Sequence, residues 1–120
     1  MHEIGIDASL LKDVRTGNKT IEGVLGTEQF IKLRKGDTLS IRKEVRENGV
    51  IVSSTLSTIT VLITQLLYFE SFDEMLGLVD YTQIIPSEKS PTDALKTIRQ
   101  YYTPEDEEKY GVIAITFSLV

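Results

Sequence analysis

The stretch Gly17-Asn18-Lys19-Thr20-Ile21-Glu22-Gly23 places a turn, a cation and an anion within seven residues. Its first two residues tolerate left-handed backbone angles, so they predict the end of a short helix over 8–14. The residues 19–25 that follow predict a strand. Because residues three apart in a regular strand face opposite sides of the sheet, Lys19 and Glu22 meet only if the chain bends between them.

Length and composition indicate one folded domain over residues 1–120, because 41% of the chain is hydrophobic and 26% is charged. The chain has no cysteine, which excludes disulfides and thiolate metal sites. Its single histidine, His2, excludes a histidine-based zinc site and a Ser–His–Asp triad, so no metal or other cofactor is expected. We find no signal-peptide pattern and no apolar run long enough to span a bilayer, so we expect a cytoplasmic protein without membrane contact.

The formal net charge of −5 is spread unevenly along the chain. Residues 1–60 carry nine Lys and Arg against eight Asp and Glu, whereas residues 61–120 carry four against ten. Nucleic-acid binding normally requires basic side chains that neutralise phosphates. Any nucleic-acid footprint must therefore be local, and tight sequence-independent binding to long duplex DNA is disfavoured.

The middle of the chain reads as β-structure. Lys35-Gly36-Asp37 predicts a turn, and residues 38–45 alternate as a strand with Leu39 and Ile41 on one face. Asn48-Gly49 is typical of a hairpin turn. Residues 50–68 are rich in β-branched side chains and predict either one long bent strand or two short ones.

The second half adds helices and a last strand. Three residues are predicted to be helix N-caps, and they are Ser71, Ser90 and Thr103. We expect the helix that begins after Ser71 to end near Gly77. The apolar run 112–117 is typical of a buried strand. The chain therefore predicts an α+β domain of four to six mainly antiparallel strands with two or three flanking helices. Closure into a small barrel would leave no exposed sheet edge.

Several of these residues resemble the ASCH family, which belongs to the PUA-like superfamily of β-barrels. The signature of that family is Gly-x-Lys-x-x-Glu-x-Arg, and this chain supplies Gly17, Lys19 and Glu22, with Val24 at the position of the Arg. Further segments also resemble one subgroup of the family, and they are residues 33–37, 68–76 and 102–112.

The resemblance implies a small PUA-like β-barrel with a ligand cleft beside the signature strand. The implied partner is single-stranded RNA or a nucleoside or nucleotide. One branch of the family hydrolyses the acetyl amide of N4-acetylcytidine, and other members are associated with ribonuclease activity. In the hydrolase branch a Thr nucleophile stands where this chain has Glu22, and a Glu before the long helix corresponds to Glu88.

The candidate catalytic residues are accordingly Lys19, Glu22 and Glu88, and the hydroxyl of Thr20 stands next to Lys19. Lys and Glu side chains can bind a base edge or a phosphate, Arg pairs with phosphate, and Tyr stacks on bases. The candidate ligand-binding residues are Lys19, Glu22, Arg42, Arg99 and Tyr102.

Three functional hypotheses stay open from the sequence. The first is a module that binds RNA or a nucleotide, and the second is a hydrolase of an acylated nucleoside or a weak ribonuclease. The third is a non-catalytic interaction domain with a protein partner, because Val24 removes the charge and the donors of the signature Arg. An Arg from elsewhere in the fold can replace that charge, and the candidates are Arg42, Arg46 and Arg99. The alternative to a functional role for Lys19 and Glu22 is a structural ion pair.

Overall fold

The structure is a computed structural model that describes residues 2–48, 50–55 and 59–120. The strands are β1 (His2–Asp7), β2 (Ile21–Leu25), β3 (Thr38–Glu47), β4 (Val50–Ser54), β5 (Ile59–Phe69) and β6 (Val112–Leu119). The helices are α1 (Leu11–Thr16), α2 (Glu28–Ile31), α3 (Phe72–Leu78), α4 (Pro91–Ile98) and α5 (Pro104–Tyr110). Single 3-10 turns cover Ala8–Leu10 and Tyr81–Gln83. The predicted α+β class is confirmed.

The strands form one mixed sheet in the order β1-β3-β5-β6-β2, and β4 pairs with part of β3. β1 runs parallel to β3, and the other pairs are antiparallel, as expected. Among the described residues β1 and β2 do not pair, so the expected closed barrel is wrong. The physical reason is that side chains from β3 and the helical layer, among them Arg46, Ile98 and Tyr102, line the space between the facing edges of these two strands, where the closing pair would be.

The predicted last strand, β6, is buried on both faces. One face packs into a cluster with β1, β3 and β5 through Ile113, Ile115 and Phe117. The other face meets α3, α4 and the segment 84–85 through Val112 and Ala114. A strand covered on both sides reads as a continuous apolar run, which is the pattern that the sequence shows over 112–117. The core therefore has two layers with β6 between them.

The predicted helix starts are confirmed by their hydrogen bonds. The hydroxyl groups of Ser71, Ser90 and Thr103 each accept a bond of 3.0–3.1 Å from the backbone N–H three residues later. The short helix expected over 8–14 is present as the 3-10 turn Ala8–Leu10 followed by α1, and the described residues contain more helices than the two or three expected because the chain also forms the four-residue α2. α3 ends at Leu78, one residue beyond the Gly77 that we expected to end it. None of the described helices is long and apolar enough to cross a membrane.

The hairpin between β3 and β4 is also confirmed, because Glu47 pairs with Val50 in antiparallel register. Asn48 adopts a positive φ of 53° there. Gly49, the other half of the predicted turn, lies outside the described residues, as do residues 56–58 of the predicted stretch 50–68. On either side of that gap the structure has two strands, as one of the two alternatives expected, but only β4 is short, since β5 has eleven residues.

Replacement of Gly26 by Ala tests how tightly the end of β2 packs. A Cβ at this position would lie 2.6 Å from the backbone carbonyl oxygen of Tyr110, which no side-chain rotation can relieve. We expect Gly26→Ala to lower the free energy of unfolding by about 2 kcal/mol in denaturant titrations. The control is Gly77→Ala, where no atom beyond the neighbouring residues and the backbone of α3 lies within 4 Å of the added carbon, and the helix should gain up to about 1 kcal/mol. Equal effects of the two variants would contradict this packing.

Candidate functional site

A cavity of about 160 Å³ lies between the facing edges of β1 and β2. The first wall is β1 and the turn after it, which contribute Gly5, Asp7, Ser9 and Leu10. The second wall is Glu22 and Gly23 of β2, whereas Arg46 of β3, the strand paired with β1, lies on the side of the first wall. The segment 84–88 and the end of α4 close the remaining side, through Ile84, Glu88, Thr97, Ile98, Tyr101 and Tyr102 among others. The cavity therefore joins two sheet edges to the helical layer.

Lys19 lies behind this cavity with its side chain fully buried. Its Nζ donates hydrogen bonds to the carbonyl oxygens of Ile21 and Ile84, at 2.6 and 2.7 Å, and to Oε1 of Glu22 at 3.1 Å. An ammonium group has three protons, so these acceptors satisfy all of its donors. Lys19 thereby ties the start of β2 to the segment 84–85 and holds the Glu22 carboxylate in the cavity wall.

The bend that lets Lys19 reach Glu22 comes from local structure. Lys19 precedes β2, which begins at Ile21, so strand alternation does not apply to it. Its backbone N–H donates to the carbonyl oxygen of Asp13 at 2.9 Å, just after Gly17 ends α1 with a positive φ of 81°. The chain is therefore still turning out of α1 where the Lys side chain folds back.

A second buried charge, Glu44, supports the opposite side of the cavity. Its carboxylate accepts from Arg42 at 2.9 Å and from Arg46 at 3.0 Å, and the residue is only 3% exposed. Arg42 also pairs with Glu3 of β1 at 3.0 Å. A Cβ at Gly5 would lie 2.0 Å from this carboxylate, so the glycine makes the room that Glu44 occupies. This network fixes Arg46 at the cavity.

Aromatic rings from the turn that follows α4 complete the wall. The guanidinium of Arg46 lies 4.7 Å from the centre of the Tyr101 ring, a cation–π distance. Tyr102 stacks on Phe72 with ring centres 5.0 Å apart. Burial raises the pKa of the Tyr102 hydroxyl above its ordinary value, and the negative charge of Glu22 raises it further. Burial likewise raises the pKa of Tyr101, with Asp7 adding to the effect and Arg46 opposing it.

Two further carboxylates of the cavity, those of Asp7 and Glu88, accept hydrogen bonds from neutral donors. The hydroxyl of Thr97 donates to Oε1 of Glu88 at 2.6 Å. The Asp7 carboxylate accepts from the backbone N–H and the hydroxyl of Ser9. Across the part of the chain that the structure describes, no group of three or more His, Asp or Glu side chains could hold a metal ion.

The structure brings together only some of the residues that the sequence singled out. Glu22, Glu88 and Tyr102 line the cavity, and Lys19 contacts it from behind through Glu22 and Ile84. The hydroxyl of Thr20 donates to Gln83 Oε1 at 2.7 Å, and Thr20 lines a different groove, which Lys19 also lines.

Two predicted arginines lie elsewhere. Arg99 forms a two-pronged ion pair with Glu107, at 3.0 and 3.1 Å, and does not line the cavity. Arg42 lines an adjoining groove together with Val24 and Arg46. Val24 itself is 2% exposed in the core, so the guanidinium in the cavity wall is that of Arg46.

The sequence reasoning missed β1 and therefore missed its contributions to the cavity, Gly5 and Asp7. The signal was present but short, because only Ile4 and Ile6 alternate inward over this strand. Thr97 was also missed, since a Thr near the end of a helix has no pattern that marks it as part of a cavity.

No family model matches the chain. A search of curated proteins finds no match either. Among solved structures, the chain is similar to the crystal structure of hypothetical protein PH0355, with a TM-score of 0.82 and 29% identity over 98% of this chain and 97% of that one. It is also similar to the solution structure of protein PF0455 from Pyrococcus furiosus, with a TM-score of 0.73 and 28% identity over 99% of this chain and 96% of that one.

Replacement of Lys19 by Met tests its structural role. Met fills much of the same space but leaves the carbonyl oxygens of Ile21 and Ile84 and the carboxylate of Glu22 without this donor. We expect a loss of about 3 kcal/mol in the free energy of unfolding, measured by denaturant titration. Lys12→Met, at an exposed position of α1, should change it by less than about 0.5 kcal/mol. A Lys19 variant as stable as the Lys12 variant would show that the buried ammonium holds nothing together.

The raised pKa values of Tyr101 and Tyr102 predict a loss of stability in base. Unfolded tyrosines ionise near pH 10, whereas these two stay neutral in the folded state to higher pH. Their contribution is therefore intact below about pH 10 and falls as the pH rises above it, because the unfolded state then binds fewer protons. Unfolding titrations should show a shallower fall for Tyr102→Phe than for the wild type.

The matched control for that prediction is Tyr68→Phe, because Tyr68 is 59% exposed. Its removal should leave the alkaline fall unchanged. If Tyr68→Phe flattens the fall as much as Tyr102→Phe does, burial is not its cause.

Proposed function

We propose that this protein is an ASCH-like domain, built on an opened variant of the PUA-like barrel, that binds a nucleobase in the cavity between β1 and β2. The ligand belongs to the class of single-stranded RNA, nucleosides and nucleotides. The observation that carries the proposal is the placement of Glu22 in the cavity wall by the buried ammonium of Lys19, 3.1 Å away. These are two of the residues on which the ASCH resemblance rests.

The dimensions of the cavity support a single aromatic ring. An apolar cavity of about 150 Å³ is large enough to hold benzene, and this one measures about 160 Å³. Tyr101, Tyr102 and Ile98 supply ring and aliphatic surface, against which a planar base can pack. The size therefore favours a pyrimidine over a purine.

The polar groups of the cavity favour a base with an exocyclic amino group. Carboxylates are acceptors only, and Glu is a recognised partner of the amino group of cytosine. Glu22 and Glu88 both present carboxylates to the cavity. Uracil has a carbonyl oxygen where cytosine has its amino group, so a carboxylate would there meet a second acceptor. The proposed preference is thus for cytosine.

An NMR titration of amide shifts with cytidine tests the proposal. We expect the shifted amides to cluster in residues 5–9, 22–23, 84–88 and 97–102. Glu22→Gln should weaken binding about tenfold, because the base amino group loses its charged acceptor. Glu28→Gln is the control, since that side chain is 89% exposed on α2, away from the cavity.

Two results of this titration would contradict the proposal, and each points to a different conclusion. Shifts that cluster elsewhere would place the ligand outside this cavity. No shifts with cytidine, uridine or a short single-stranded RNA would favour the interaction domain without a nucleotide site, and protein partners would then be sought.

A second candidate function, hydrolysis of an acylated nucleoside, is favoured by one observation. Thr97 places a hydroxyl in the cavity and donates to the Glu88 carboxylate at 2.6 Å, which is the arrangement of a nucleophile and its base. The reaction would convert an N-acyl nucleoside and water into a carboxylic acid and the free amine. Thr97 would then supply the hydroxyl that the sequence lacks at Glu22.

Incubation with N4-acetylcytidine distinguishes this candidate from simple binding. Released acetate that disappears in Thr97→Val, but persists in Thr92→Val at an exposed position of α4, would support the hydrolase. Binding of N4-acetylcytidine without acetate release would exclude it.

A further inference from the structure

The charged groups of the cavity do not balance one another. Among the described residues that line it, the carboxylates are Asp7, Glu22 and Glu88, and the one cationic side chain is Arg46. Glu22 is compensated by the Lys19 ammonium at 3.1 Å. Asp7 and Glu88 have no ion-pair partner among the described residues and bond to Ser9 and Thr97. Two negative charges therefore face the cavity without compensation.

The cation of the cavity is already engaged. Arg46 bonds to Oε1 of the buried Glu44 at 3.0 Å and lies over the ring of Tyr101. Lys19 is fully buried, and its three protons are used by three acceptors. A phosphate group entering the cavity would therefore meet a single guanidinium whose charge already faces the Glu44 carboxylate, and no second cation among the described lining residues.

From this imbalance, and resting on the proposed function, we infer that the cavity takes an uncharged nucleoside and rejects its phosphorylated forms, including the backbone of RNA. A phosphate monoester carries a charge of about −1.5 to −2 near pH 7, and like charges at a binding site disfavour a ligand. The amino group and hydroxyl groups of a nucleoside are donors that carboxylates accept. The carboxylates of Asp7 and Glu88 therefore favour the uncharged nucleoside and disfavour the phosphorylated one.

Calorimetric titration of the full chain with cytidine and with cytidine 5′-monophosphate tests this inference. At low salt we expect the monophosphate to bind at least about tenfold more weakly than cytidine. Added salt should narrow that gap, because it screens the repulsion while leaving the neutral ligand largely unaffected. A site that binds phosphate would show the opposite response, with affinity for the monophosphate falling as salt is added.

Two variants locate the repulsion. Asp7→Asn and Glu88→Gln each keep an acceptor for Ser9 or Thr97 but remove one negative charge, so each should bring the affinity for the monophosphate closer to that for cytidine. Because the two substitutions lie at different positions, the test still stands if one of the two variants fails to fold. Glu28→Gln, on the exposed face of α2, should leave the ratio of the two affinities unchanged.

The outcomes separate this inference from the proposed function. Tighter binding of the monophosphate than of cytidine, weakened by salt, would overturn the inference and leave a nucleotide site in place. Failure of all nucleosides and nucleotides to bind would overturn the proposed function and the inference with it. Unchanged ratios in both Asp7→Asn and Glu88→Gln would show that these carboxylates are not the source of selectivity.

Discussion

The buried ammonium of Lys19 is the interaction on which the rest of the site depends. A charge removed from water is costly unless its donors are fully used, and here two carbonyl oxygens and one carboxylate use them. Two of these acceptors, on Ile21 and Glu22, belong to β2, and the third, the carbonyl oxygen of Ile84, belongs to the segment before α4. The ion pair thus orders the wall of the cavity and the helical layer above it at the same time.

A second constraint of the same kind operates across the cavity. Glu44 is buried between Arg42 and Arg46, and Gly5 leaves the space for its carboxylate. The two buried charges have opposite signs and lie on opposite walls. Each holds a group of the other sign in the lining: Lys19 holds Glu22, and Glu44 holds Arg46. The charges that remain uncompensated, on Asp7 and Glu88, give the cavity its net negative character.

Much of the fold follows from local sequence rules, and the parts that do not have physical reasons. The caps at Ser71, Ser90 and Thr103 were predicted because a side-chain oxygen before a helix satisfies a backbone donor wherever the helix packs. β6 was predicted because burial on both faces requires a continuous apolar run. The open edge between β1 and β2 was not, because whether a sheet closes depends on what lies between its edges.

The sequence singled out some of the residues around this cavity but not others, for a related reason. Lys19 and Glu22 were identified from the ASCH resemblance, but strand alternation argued against their contact. The contact forms because Lys19 is still in the turn after α1, a boundary that the sequence does not fix to within two residues. The burial of Glu44 was not predicted, since only the parallel pairing of β1 with β3 places Gly5 beside its carboxylate. Arg99 was expected at the ligand, yet its partner Glu107 lies on α5, a tertiary contact without a local signature.

The central claim is that the space between β1 and β2 is a ligand site organised by Lys19 and Glu22. A crystal structure of the protein soaked with cytidine tests it most directly. The account predicts the pyrimidine ring between these strands, with its amino group within hydrogen-bond distance of a carboxylate oxygen of Glu22 or Glu88. A cytidine bound elsewhere on the protein, with the cavity filled only by water, would contradict the account.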